Sequence, residues 1–162
     1  MSQGPETRFI ASIHRLLPES LHWEKMHNQY SRGTADVWYS GTKGDLWIEY
    51  KYITKLPKHA AVRANLSGNQ VTWLQGRYEE GRKVLVVVGH PDGATILHPL
   101  KAFKPVSLKD FKGLTVSKKD CATLIMSHTM GDKIVQNSSE TGGRSAGRRS
   151  LVQSTRRRIS GV

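Results

Sequence analysis

The order of apolar and polar residues predicts an ordered α/β domain over residues 1–127. Apolar side chains recur at helical spacing near the start of the chain, and Pro18 then ends that segment. The predicted second helix has Asn69 as its candidate N-cap and Gly81 as the residue just beyond its end. Helices are predicted at residues 6–17, 70–80 and 117–126.

Strand patterns fill the intervals between the helices. Alternation and richness in Val, Ile, Trp and Tyr predict strands at residues 21–27, 35–40, 45–53, 83–89 and 95–98. Residues 83–89 form an uninterrupted apolar run, which is typical of a strand buried on both faces. Residues 41–44 separate the second and third strands as a four-residue hairpin loop. Before the helix at residues 117–126, the predicted order is α-β-β-β-α-β-β, without an internal repeat.

The composition changes near residue 130, which divides the chain into a domain at 1–130 and a tail at 131–162. From residue 132 onwards the chain is rich in Ser, Gly and Arg. It contains seven Lys and Arg, and its only acidic residues are Asp132 and Glu140. A segment with this charge and almost nothing to bury is expected to be disordered. It could hold phosphates without reading sequence, and the alternative is a tail that only keeps the protein in solution.

The whole chain carries 25 Lys and Arg against 13 Asp and Glu, a formal net charge of +12. Nucleic acid is the first candidate partner for such a chain, although a basic protein of a ribosome-like assembly has the same composition. Cys121 is the only cysteine, which excludes an intramolecular disulfide, and the histidines lack zinc-ligand spacing. The N-terminus has no signal-peptide core and no apolar run could span a membrane, so we expect a soluble, intracellular, cytoplasmic protein with no membrane partner.

The predicted hairpin brings two carboxylates together. If Ser40 and Asp45 are the last pair before the loop, Asp36 lies directly opposite Glu49. Like charges at such positions destabilise a sheet, and a divalent cation would remove the penalty. Lys51 shares a strand face with Glu49, because side chains two residues apart point the same way.

These groups are the ones that metal-assisted phosphodiester hydrolysis requires. A metal ion on Asp36 and Glu49 would polarise the phosphate and activate a water, and Lys51 would orient that water or offset phosphoryl charge. Tyr50 points to the core, while its backbone carbonyl could face the metal. The alternative is an ordinary solvated strand face, since a bare Glu-x-Lys is a weak signal.

The motif Gly33-Thr34-Ala35-Asp36 followed by Glu49-Tyr50-Lys51 resembles the PD-(D/E)XK nuclease superfamily. The similarity lies with the small single-domain branch of Holliday-junction resolvases and VRR-NUC-type nucleases of phages and mobile elements. It covers about residues 6–98, with Glu6 opening the first helix and Gln70 the second. Ala35 stands where the superfamily has its eponymous proline.

The resemblance implies a restriction-endonuclease-like α-β-β-β-α-β core with a central mixed sheet flanked by helices. It implies Mg²⁺ as cofactor, with Mn²⁺ able to substitute. The implied catalytic residues are Asp36, Glu49, Lys51 and Gln70, and the implied metal ligands are Glu6, Asp36, Glu49 and the Tyr50 carbonyl. From position alone, Glu6 could simply favour the helix N-terminus and Gln70 could be an ordinary first-turn residue.

The leading hypothesis is therefore a Mg²⁺-dependent endonuclease that acts on DNA, with branched or nicked DNA as the candidate substrate. A sequence-specific homing or restriction-type endonuclease and a non-catalytic DNA-binding module are the alternatives. Symmetric cleavage of two strands would call for a homodimer. The candidates to line the substrate cleft are His27, Asn28, Gln29, Ser31 and Arg32. The predicted DNA contacts are Arg32, Lys55, Lys58, Arg63, Arg148, Arg149, Arg156, Arg157 and Arg158.

Overall fold

The computed structural model describes residues 4–26 and 32–131, in which a six-stranded sheet carries helices on both faces. The helices are α1 (Pro5–His14), α2 (Gly68–Glu79), α3 (Leu108–Gly113) and α4 (Lys118–Thr129). The strands are β1 (His22–Lys25), β2 (Val37–Gly41), β3 (Gly44–Tyr52), β4 (Val84–His90), β5 (Gly93–Leu97) and β6 (Thr115–Val116). No helix in this described part is long and apolar enough to cross a membrane.

The strands lie in the sheet in their chain order, β1 to β6. Each neighbouring pair is antiparallel except β3 and β4, which are parallel. A parallel pair requires a crossover connection, and α2 provides it. The predicted α-β-β-β-α-β order and the mixed sheet flanked by helices are confirmed.

The two faces of β3 belong to different cores. Leu46, Ile48 and Tyr50 are wholly buried in the cluster that packs beneath α1 and α4. Trp47 and Glu49 point to the opposite face, where α2 covers the sheet. Strand β4 is buried along nearly its whole length, as its apolar run predicted. Glu49 is consequently a charged residue of a central strand, placed beneath a helix.

The hairpin differs from the prediction in its turn. Gly41 pairs with Gly44, so the turn contains only Thr42 and Lys43, although the register is the predicted one. Gly44 has φ of 143°, which favours glycine, and a side chain on Gly41 would overlap the backbone of Thr129. The two glycines that suggested a longer loop are the last pair of the ladder.

Helix α2 begins earlier than predicted, because Ser67 and not Asn69 is its N-cap. The Ser67 side chain accepts from the backbone N–H of Gln70, and the Gln70 side chain accepts from the backbone N–H of Ser67, which is a capping box. Gly81 has φ of 79°, as expected just beyond a helix end. The Ser-x-x-Gln spacing at residues 67–70 is the sequence pattern of a capping box.

Other boundaries also differ. Helix α1 ends at His14, and β1 contains only four residues, all of them exposed. Helix α4 uses Ser117 as its N-cap and extends to Thr129. The short elements α3 and β6 were not predicted, since six and two residues are too few to show a period.

Candidate active site

Strands β2 and β3 separate just beyond their last ladder pair, Val37 with Ile48. Asp36 and Glu49 follow that pair, at the positions that the predicted register makes opposite. The backbone N–H of Tyr50 donates to Asp36 Oδ2 at 2.8 Å. The N–H of Met26 donates to the Asp36 carbonyl at 2.8 Å. Asp36 is thereby fixed between β1 and β3 where the hairpin opens.

Glu49 is wholly buried, with 0% of its surface exposed. Its Oε1 lies 2.7 Å from Lys51 Nζ and also accepts a hydrogen bond from Gln70 Nε2. Its Oε2 is buried and has no hydrogen-bond partner among the residues that the structure describes. An orphaned carboxylate oxygen in a protein interior is costly unless another ligand completes it.

Burial above all, and then the negative charges of Asp36 and Glu6, raise the pKa of Glu49 to about 7 against the opposing effect of Lys51. The carboxyl is thus close to half-protonated at neutral pH. A carboxyl with this combination of burial and charged neighbours is more frequent at functional sites than elsewhere.

Gln70 connects helix α2 to this carboxylate. Its Oε1 accepts from the N–H of Ser67 at 2.9 Å, and its Nε2 donates to Glu49. Both ends of the amide are therefore occupied, one by the helix cap and one by the buried carboxylate. This arrangement makes Gln70 a positioning residue for Glu49.

Glu6 approaches the same centre from the first turn of α1. Burial and the nearby charge of Asp36 raise the pKa of Glu6, while Lys51 and Lys25 lower it. The helix is held in place by Phe9, whose ring lies over Gly89 of β4 where any Cβ would overlap it. Sequence reasoning missed Gly89, which allows α1 to lie close to the sheet.

The loop before Asp36 lies against the start of α2. Gly33 has φ of 92°, and a Cβ on it would overlap the backbone of Asn69 and Gln70. Only glycine fits this close approach without strain. The Gly33 loop therefore brings the segment with Asp36 and the helix with Gln70 to the two sides of Glu49.

The side chain of Tyr50 lies on the opposite face of β3, as predicted. Its hydroxyl is 2.7 Å from the Tyr39 hydroxyl, which is 2.8 Å from His14 Nε2. Burial raises the pKa of both phenols and lowers the pKa of His14 to about 4, so these groups form a neutral network. The Tyr50 residue is held by this network on one face and by Asp36 at its backbone.

The structure brings Asp36, Glu49, Lys51 and Gln70 together and places Glu6 within electrostatic reach of them. Within residues 4–26 and 32–131, no three His, Cys, Asp or Glu side chains have the geometry of a metal site. Two carboxylates are nevertheless the oxygen donors that Mg²⁺ prefers, and the orphaned Glu49 Oε2 would accept one. The chemistry of these two donors therefore suits a divalent cation.

The predicted DNA contacts are only partly within the described residues. Arg32, Lys55, Lys58 and Arg63 are exposed, and the last three lie in the connection between β3 and α2. The five arginines of the tail and residues 27–31 lie outside the described part of the chain. A role for any of these side chains in DNA binding stays a prediction.

No protein-family model and no curated protein match the sequence. Among solved structures, the chain is similar to Hjc from Archaeoglobus fulgidus, a Holliday junction resolvase from an archaeal hyperthermophile. The identity is 15%, the similarity covers 74% of this chain and 97% of that chain, and the TM-score is 0.48.

Proposed function

We propose that this protein is a metal-dependent nuclease that hydrolyses DNA phosphodiester bonds. The observation that carries the proposal is Glu49, a fully buried carboxylate held by Lys51 and Gln70 with one oxygen unpartnered among the described residues. Asp36 lies next to it where the hairpin opens, and its charge disfavours ionisation of Glu49. A bound cation would offset the repulsion between the two carboxylates.

A protein that only binds DNA gains nothing from this cluster. The chain has a net charge of +12, and carboxylates at the centre of a phosphate-binding surface would repel the ligand. Burying Glu49 also has a desolvation cost, which Lys51 offsets only in part. The carboxylates are explained if they hold a cation that in turn contacts the phosphate.

Asp36 and Glu49 would hold the ion, with Glu6 and the Tyr50 carbonyl as the further proposed ligands. Bound Mg²⁺ supplies Lewis-acid polarisation of the phosphate and lowers the pKa of a coordinated water. Gln70 keeps the Glu49 carboxylate oriented through its amide N–H. Lys51, which forms an ion pair with Glu49 in this structure, would orient the attacking water or stabilise negative charge on the phosphoryl oxygens.

The cleavage test is an assay with Mg²⁺ or Mn²⁺ on linear, nicked, single-stranded and four-way DNA. We expect cleavage to require the metal and to be fastest on branched or nicked DNA. Cutting confined to one sequence in linear duplex would instead indicate a restriction-type or homing enzyme. Tight binding without cleavage of any of these DNAs would identify a DNA-binding module and refute the proposal.

The raised pKa of Glu49 predicts that metal binding releases a proton below neutral pH. The metal-free carboxyl titrates at about 7, and a carboxylate must be deprotonated to bind an ion. At pH 6 we therefore expect close to one proton released for each Mn²⁺ bound, and at pH 8 almost none. Calorimetric titration in buffers of different ionisation enthalpy measures this number directly.

The variant Gln70→Glu gives a second test of Glu49 as a metal ligand. Glutamate at this position can still complete the capping box, but it replaces the donor to Glu49 with another carboxylate. The pH at which proton release disappears is expected to rise in this variant, while the helix content stays unchanged by circular dichroism. Proton release that is absent at pH 6 in the unmodified protein would contradict the assignment of Glu49 as ligand.

The basic tail is expected to add affinity for DNA without adding specificity. Removing residues 132–162 takes away a net charge of +5 and up to seven phosphate contacts. Affinity should fall and the dependence of log K on log salt should become shallower, by about 0.9 for each lost contact on duplex DNA. Fluorescence anisotropy at several salt concentrations gives the slope, and an unchanged slope would exclude phosphate contacts by the tail.

A further inference from the structure

An aromatic row lies on the same face of the sheet as Glu49. Trp38 of β2 stacks on Trp47 of β3 with ring centroids 5.9 Å apart. Trp47 meets Trp73 of α2 edge to face at 5.4 Å, and the Arg77 guanidinium lies 5.9 Å from the centre of the Trp73 ring. Three of the four tryptophans of the chain belong to this row. All three residues are only partly buried, although the indole Nε1 of Trp38 is itself buried.

The row borders an open groove of about 750 Å³. Its walls include Trp47 and Trp73 together with Thr34, two residues before Asp36. Four basic residues line it against a single acidic one, Asp45, which accepts a hydrogen bond from Ser40. The basic residues of the groove are Lys43, Arg77, Arg82 and Lys83.

The cations of the groove are partly fixed by the protein. Lys43 and Lys83 donate to backbone carbonyls at the end of α4, which positions their charges along the rim. Arg77 is paired with Glu80 at 2.7 Å, and both side chains are close to half-exposed. The groove therefore has positive charge on its walls beside the rings of Trp47 and Trp73.

The groove begins where the candidate active site ends. Trp47 precedes Glu49 by two residues in β3, which separates their Cα atoms by about 7 Å on the same strand face. Trp73 follows Gln70 by three residues in α2, less than one turn of the helix. A polynucleotide whose phosphate lies at the candidate active site would therefore continue past Trp47 and Trp73.

We propose that this groove binds unpaired bases of DNA, so that the substrate has a single-stranded segment beside the bond that is cleaved. Aromatic faces with a basic rim are the combination by which proteins bind single strands without reading sequence. A duplex would offer only its phosphates to such a surface, because its bases are stacked on one another. The position of the scissile bond in this inference rests on the proposed nuclease function, whereas base binding does not.

Binding is measured with a labelled oligothymidylate of about twelve nucleotides in EDTA, where no metal-dependent cleavage takes place. Trp73→Leu should weaken binding by at least about fivefold, because one stacked base contributes that much or more. Trp73→Phe retains an aromatic face and should stay within about threefold of the unmodified protein. Trp23→Leu is the matched control, since Trp23 is 42% exposed on β1 and is not among the residues that line the groove.

Arg77→Gln is a second variant. It should not disturb the core, because the Arg77 side chain is 44% exposed. It should weaken binding and make the salt dependence shallower. Unchanged affinity in both Trp73→Leu and Arg77→Gln, with melting temperatures like that of the unmodified protein, would overturn the inference. Equal binding of an oligo-glutamate of matched charge would also overturn it, since a peptide without bases cannot stack in this way.

Cleavage assays separate this inference from the proposed function. Faster cleavage of DNA with a single-stranded segment than of intact duplex, lost in Trp73→Leu, would support both. Binding that depends on Trp73 in a protein that cuts no DNA would support the groove and refute the nuclease. Equal cleavage of duplex and single-strand-bearing DNA, unaffected by Trp73→Leu, would support the nuclease and refute the groove.

Discussion

Replacing Glu49 with Gln is expected to lower the rate of DNA cleavage by at least about 10³-fold, because several kcal/mol of metal-dependent stabilisation would be lost. The substitution keeps the shape of the side chain and its contact with Lys51. Near neutral pH the carboxyl is already half-neutral, since its pKa is raised to about 7. The fold should therefore tolerate the amide well.

Stability and binding give the controls for this variant. In the absence of metal at pH 8, Glu49→Gln should melt at the same temperature as the unmodified protein or higher, because it removes a buried charge with an orphaned oxygen. DNA affinity should be retained or increased, since a negative charge is lost. Lys51→Met should also lose cleavage, while Asp110→Asn, an exposed carboxylate in the first turn of α3, should not. Cleavage at the original rate in both Glu49→Gln and Lys51→Met would exclude this site.

Substituting Gly33 with Ala is expected to destabilise the protein by about 2–4 kcal/mol. The residue has φ of 92°, where a side chain is strained, and its Cβ would overlap the backbone at the start of α2. Backbone cannot move aside as a side chain can, so the loop must shift away from the helix. Urea unfolding followed by circular dichroism measures the loss of free energy.

The shift should also affect the candidate active site. Asp36 lies three residues after Gly33, and Gln70 belongs to the backbone that the new methyl group would meet. Cleavage in the folded Gly33→Ala protein should therefore fall as well. Gly68→Ala is the control, because Gly68 opens α2 and a Cβ there meets no atom within 4 Å. An unchanged free energy of unfolding in Gly33→Ala would show that the loop does not need this close approach.

The sequence supports the hairpin register because the side-chain period of two leaves little choice once the apolar positions face the core. It therefore places Asp36 opposite Glu49 and gives Glu49 and Lys51 a common face. The sequence does not predict the burial of Glu49, since a strand pattern does not reveal which helix covers which face. The contact between Gln70 and Glu49 depends on the crossover of α2, a tertiary feature.

The roles of three glycines were also not predicted from the sequence. Gly41 and Gly44 have the composition of a loop, yet they are the last pair of a regular ladder. The backbone of Thr129 excludes a side chain at Gly41, and Gly44 has a positive φ. Gly89 looks like the end of a strand, yet it provides the space for Phe9 of α1. At Gly41 and Gly89 the reason for the glycine is a residue distant in sequence, which local patterns do not reveal.

The shared use of the Gln70 amide links the order of helix α2 to the state of the carboxylate. Opening of the first helical turn would remove the acceptor of the Ser67 N–H and the donor to Glu49 in one event. By thermodynamic reciprocity, anything that favours ionised Glu49 must then make this turn open less often. Backbone amide exchange at the start of α2 would therefore report the occupancy of a site that lies on the neighbouring strand.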